Sequence, residues 1–235
     1  MYILRAAEER GRTYIDWLDS RHTFSFGQYF DPNFMGFSDL RVINDDVVEP
    51  GKGFGTHPHK DMEIVSVVVG GALEHKDSMG SGEVLRVGEV QRMSAGTGVY
   101  HREFNHSSTE PVHFLQIWIL PEKNNLNPEY EQKFFPEDYT ANRLGLIISR
   151  EGREKSLRIN QDVEIYQCKL EKGHKIEYPV DKSRKYWLQM IAGKINVNGH
   201  PLSAGDGLAV SGEENILEFV AAEEKSNFLF FNLRP

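Results

Sequence analysis

The chain has little of several things that would narrow its class at once. It has a single cysteine, Cys168, so no intramolecular disulfide can staple it and no thiolate cluster can build a closed structural zinc site. Cys168 alternates with Tyr166 and Leu170 in a strand-like run, which predicts a core position rather than a reactive thiol. It has no Lys/Arg run longer than two residues, and its formal net charge is −8. A diffuse basic field able to neutralise a phosphate backbone is therefore missing, which argues against direct nucleic-acid binding. Its longest uncharged apolar stretches, around Ile64–Leu73 and Val112–Pro121, are about half of the ~20 residues that a membrane span needs. The opening MYILRAAEER carries charges where a signal peptide has its apolar region. The expectation is a cytoplasmic protein with no membrane attachment.

What is present points to β-structure. Aromatic residues make up 11% of the 235 residues, with 21 Gly and 10 Pro punctuating the chain, a composition that favours many strands joined by turns. From Leu40 to Leu120, β-branched runs (LRVIND, EIVSVVVG, FLQIWIL) alternate with Gly/Pro/Asp/Asn clusters, as in an antiparallel sandwich or barrel. The first 38 residues are rich in irregularly spaced aromatics and are expected to wrap a sheet. A polar segment with three prolines, Pro121 to about Ala141, is the best candidate for a connection, after which the strand pattern resumes.

The two strand-rich halves share a pattern. Leu85-x-x-Gly88-Glu89 followed by Ser94 has the same spacing as Leu202-x-x-Gly205-Asp206 followed by Ser211, which suggests one β-fold used twice. The expected organisation is an all-β chain of two domains: 1–120 with the aromatic wrap, a connection at 121–141, and 142–235.

Five of the nine histidines fall between His57 and His106. His57-Pro58-His59 places two imidazoles at i and i+2, on one face of a strand, and His101-Arg102-Glu103 repeats that geometry with an imidazole and a carboxylate. If the two segments lie on neighbouring or facing strands, four donors converge at distances compatible with metal–nitrogen bonds of about 2.0–2.1 Å. Three histidines and a glutamate form a mixed N/O site suited to one divalent transition metal, with iron the first choice and manganese, cobalt, nickel, copper or zinc also compatible.

The flanking residues extend this reading. Gly51-x5-His57-x-His59-x3-Glu63-x6-Gly70 satisfies the first cupin motif, and Met93-Ser94-Ala95-Gly96-Thr97-Gly98-Val99-Tyr100-His101-Arg102-Glu103 resembles the second motif of the pirin family of double cupins. His22–Asp46 also resembles the pirin signature, and the second half is most similar to the C-terminal cupin of bacterial pirin-like quercetin dioxygenases. The resemblance implies two cupin (jelly-roll type) β-barrels in tandem, with His57, His59, His101 and Glu103 as metal ligands. It further implies metal-dependent cleavage of the flavonol ring of quercetin with O2 and release of carbon monoxide.

Glu103 is then the best-placed base for the flavonol 3-hydroxyl. The partners implied are a flavonol and O2; separately from the resemblance, a monomer is the expectation. Two other readings remain open: a non-enzymatic, redox-sensitive metalloprotein that binds a regulatory partner, and a cupin with another small-molecule activity.

Glu63 shares parity with His57 and His59 if the strand continues, which would set it behind the ligands as a hydrogen-bonding or ion-pairing group. His75, His106 and His113 are expected at turns or edges. The repeat places Pro179, Asp181, Glu218 and Val220 where the second half would need ligands, so the C-terminal domain is expected to hold no metal.

Overall fold

A computed structural model describes residues 1–212 and 214–235. The expected all-β architecture is borne out, as two separate β-units. One comprises residues 11–135 and 157–161; the other comprises residues 1–10, 136–156 and 162–235.

In the unit built on residues 11–135, a seven-stranded antiparallel sheet runs in the order Glu129–Phe134, Glu89–Ser94, Glu63–Gly70, Val112–Ile119, Leu40–Val48, Leu18–His22, Gly11–Ile15. Its middle strands are buried on both faces, which is why EIVSVVVG and VHFLQIWI read as near-continuous apolar runs rather than alternating ones. A second, four-stranded sheet runs Gly53–His59, Val99–Asn105, Ala72–Asp77, Gly82–Arg86. Leu18, Val48, Val68, Leu73, Leu85, Val112 and Phe114 pack together as a core between these strands. The hairpin Gly11–Ile15/Leu18–His22 gives the aromatic N-terminal stretch its place at the sheet edge.

The other unit has its own core. Tyr166, Tyr178, Tyr186, Phe219, Phe228 and Phe230 pack ring on ring, with Tyr186 and Phe230 stacked at 5.6 Å. Cys168 is fully buried in this core, and burial pushes its thiol up to about 12, as its strand position predicts.

The repeated turn is real and has a common mechanism. Gly88 (φ +89°) and Gly205 (φ +87°) both supply left-handed backbone at the turn between two strands. The acid that follows each then accepts the backbone N–H three residues before it: Arg86 N–H to Glu89 Oε2 and Ser203 N–H to Asp206 Oδ2, both at 2.7 Å.

The division of the chain differs from the expected 1–120, 121–141 and 142–235. Tyr2–Arg5 pairs with Gly207–Ser211, so the first ten residues belong to the C-terminal unit. The presumed connection contains a strand, Glu129–Phe134, which pairs with Glu89–Ser94. Its charges conceal it: Glu129 and Glu131 ion-pair with the buried guanidinium of Arg92, so polar side chains sit where β-branched ones would have signalled a strand.

Candidate metal centre

The strands Gly53–His59 and Val99–Asn105 are neighbours, antiparallel, with His101 opposite His57. Along Val99–Asn105 the alternation is inverted in chemistry: His101, Glu103 and Asn105 point inward and are buried, whereas Tyr100 is 59% exposed. A strand that spends its inward positions on polar groups must satisfy them there, since a buried polar group without a partner costs roughly 1–3 kcal/mol.

His57, His59 and His101 converge. Their ring centroids are 4.5–4.9 Å apart, and each offers a ligand atom within 4.8 Å of the others. Nε2 of His57 and Nε2 of His101 lie 3.0 Å from each other, and Nδ1 of His57 donates to the Gly55 carbonyl at 2.7 Å. With its proton on Nδ1, His57 turns a bare Nε2 lone pair toward the cluster.

Burial, reinforced by His57, lowers His59 to about 4; burial, with contributions from His59, His57 and His75, lowers His101 to about 2. Three imidazoles whose nitrogens converge in this way form the kind of donor set that divalent transition metals take. The residues therefore fit a metal on chemical grounds.

Glu103 lines the same cavity as His57 and His59. Its Oε2 accepts from Gln116 Nε2 at 2.6 Å, and Ser66 Oγ lies 3.3 Å from Oε1 and 3.1 Å from Gln116 Oε1. Burial, with a push from Asp46, raises the Glu103 carboxyl to about 7 against the hydrogen bonds from Ser66 and Gln116. Phe26, Phe54 and Trp118 form the apolar walls of the cavity. Trp118 meets His59 edge-on at 4.9 Å and Phe26 at 5.4 Å.

Two expectations need correction. Glu63 does not follow His57 and His59 onto their face, because their strand ends at His59 and Asp61 (φ +48°) turns the chain into the other sheet. There Glu63 is fully buried and accepts from Ser94 Oγ at 2.6 Å and from Asn160 Nδ2 at 3.2 Å. Ser94, opposite Glu63 on the neighbouring strand, thus holds that carboxyl inside its own sheet.

His75 is neither a turn nor an edge residue. It is fully buried, its ring lies 5.3 Å from that of His101, and it offers a ligand atom within 4.8 Å of those of His101 and Glu103. Alternation along EHKD could have hinted at it, but the exposed Lys76 beside it reads as a solvated face. His106 and His113 do pair at the periphery, with Glu74 and Asp45.

The Pirin family model matches residues 4–119, and the Quercetinase C-terminal cupin domain model matches residues 146–233. The chain is also 49% identical to a quercetin 2,3-dioxygenase of Escherichia coli K12 over 235 residues, covering all of both chains. The chain belongs to the pirin family. Among solved structures it is similar to that of YhhW from Escherichia coli, with a TM-score of 0.95 and 48% identity over 100% of this chain and 98% of that one. The bacterial pirin YhhW in complex with nickel(II) matches it with a TM-score of 0.94 and 48% identity over all of both chains. The two tandem cupin domains expected of a pirin are therefore present.

Proposed function

We propose that this pirin is a metal-dependent quercetin 2,3-dioxygenase that opens the flavonol ring with O2 and releases carbon monoxide. The observation that carries the reading is the convergence of His57, His59 and His101, with the buried Glu103 close to His101 and lining one aromatic-walled cavity together with His57 and His59. The naming of the Escherichia coli relative and the nickel(II) complex of YhhW support it.

In this reading His57, His59, His101 and Glu103 hold one divalent metal. When bound, it supplies a Lewis acid that lowers the pKa of the flavonol 3-hydroxyl and a path for electrons to dioxygen. The chain's residues do the rest. Phe26, Phe54 and Trp118 are the apolar surfaces against which a flat aromatic substrate packs. Glu103 accepts the 3-hydroxyl proton, while Gln116 and Ser66 fix the carboxylate's orientation. Exclusion of water by the aromatic walls protects the electron-rich enolate from reprotonation.

The net charge of −8 favours a small-molecule role over nucleic-acid binding. Among the described residues no helix is long and apolar enough to cross a membrane. The proposal is of a cytoplasmic monomer whose C-terminal cupin holds no metal.

The test is metal analysis of the purified protein, then aerobic turnover of quercetin with carbon monoxide detection in wild type, His57→Ala and Glu103→Ala. Wild type is expected to turn over and both variants to lose most activity. Equal turnover in all three overturns the metal-centred reading. A tightly held, redox-active metal without turnover supports the regulatory metalloprotein instead.

A further inference from the structure

His75 and Asp77 lie two residues apart on the strand Ala72–Asp77, and both side chains are fully buried. In register, Asp77 sits opposite His101 and His75 opposite Glu103. Nε2 of His75 is 3.1 Å from Asp77 Oδ2. The other oxygen of Asp77 accepts the backbone N–H groups of Met79 and Ser81 at 2.8 and 3.0 Å. A carboxylate that accepts on both oxygens takes the Nε2 proton of His75. Its Nδ1 is then a bare acceptor, and that atom is buried without a partner. Tyr130 stacks on the ring at 5.0 Å and 24°, fixing its plane.

His101 has the complementary need. Its Nε2 faces the imidazole cluster, and an imidazole that ligates through Nε2 must carry its proton on Nδ1. That Nδ1 is also buried without a partner. One ring therefore requires an acceptor and its neighbour, 5.3 Å away between centroids, presents one.

We propose that Asp77 and His75 are positioning residues for His101: Asp77 takes the Nε2 proton of His75, and His75 Nδ1 takes the Nδ1 proton of His101 across one buried water. This chain of two imidazoles and a carboxylate fixes the tautomer that turns the His101 Nε2 lone pair toward the metal. The inference rests on the metal centre proposed above.

The tautomer logic separates this role from packing. Asp77→Asn keeps Oδ1 for Met79 and Ser81 but offers an N–H to His75 Nε2. The His75 proton then moves to Nδ1, so that donor faces donor. His75→Leu fills the space without an acceptor, whereas His75→Asn restores a carbonyl oxygen the same number of bonds from Cα as Nδ1.

The experiment measures cobalt(II) and nickel(II) affinity of the full-length apoproteins by competition with a chelating dye. The visible spectrum of the cobalt forms and the thermal midpoints of the apoproteins are recorded alongside. Asp77→Asn and His75→Leu are expected to bind about 10–100-fold more weakly, with a shifted cobalt spectrum. His75→Asn is expected to recover most of the loss.

Wild-type affinity and spectrum in Asp77→Asn and His75→Leu overturn the inference. So do losses in all three variants, His75→Asn included, that simply track lower apoprotein midpoints. A wild type that binds neither ion overturns the metal centre itself, and tight wild-type binding with unchanged variants overturns only the positioning role.

Discussion

Glu103 joins an electrostatic fact to a binding measurement. Burial raises its carboxyl to about 7 in the metal-free protein, so below that pH a proton occupies the group that a metal ligand must vacate. The sign follows from the raised value. Metal affinity contributed by Glu103 is complete above about pH 7 and falls by about tenfold for each unit below it. At pH 5 only about 1% of the carboxyls are ionised, which corresponds to roughly a 100-fold loss of affinity, or about 2.7 kcal/mol.

Glu103→Gln removes both the ligand and its proton. Cobalt(II) or nickel(II) dissociation constants measured from pH 5 to 8 should show the variant about 100-fold weaker at pH 8, with a pH slope shallower by one. The two curves should nearly meet at pH 5. Because the imidazoles are common to both proteins, any protons they release cancel in the comparison. Parallel curves across the range would refute the assignment of Glu103 as a ligand with a neutral-range proton.

Three further outcomes follow from the same geometry. Asp46 is fully buried, one of its carboxyl oxygens has no partner, and burial raises it from 3.8 to about 7. A carboxyl whose folded value is raised stabilises most below its unfolded value and loses that contribution as pH rises through about 7. Asp46→Asn should therefore reduce the fall in apoprotein stability between pH 5 and 8 by about 1–3 kcal/mol, read from urea unfolding at each pH. An equal fall in wild type contradicts the burial argument. Gly96 has φ +45°, and a Cβ there would stand 2.0 Å from the Leu126 carbonyl oxygen, so Gly96→Ala should cost about 3 kcal/mol in chemical denaturation. A cost under about 1 kcal/mol would show that the Leu126 segment yields. Trp118→Ala removes one wall of the cavity and should raise KM for quercetin about tenfold, seen in steady-state kinetics; an unchanged KM would place the flavonol elsewhere.

The parts of the site that could be read from residue order are those encoded by short-range periodicity. His57 and His59, like His101 and Glu103, are separated by two, and a strand of any register puts such pairs on one face. Glycine and an acid in the repeated turn act within three residues, so Gly88-Glu89 and Gly205-Asp206 were legible as well. Glu63 fails by the same rule, because parity survives only while the strand continues, and Asp61 ends it. His75 was hidden because its role depends on which strand pairs with Val99–Asn105, and Lys76 beside it carries an ordinary surface signal.

Local spacing thus determined the fold class, the pairing of donors and the repeat. Long-range strand pairing alone decided the rest. It returned residues 1–10 to the C-terminal unit, made a strand of Glu129–Phe134 and laid Tyr130 on His75, and it set Asn160 against Glu63. Backbone hydrogen bonds between strands are indifferent to sequence separation, so which polar groups share a buried space, and whose proton each must take, is fixed only when the sheets have formed.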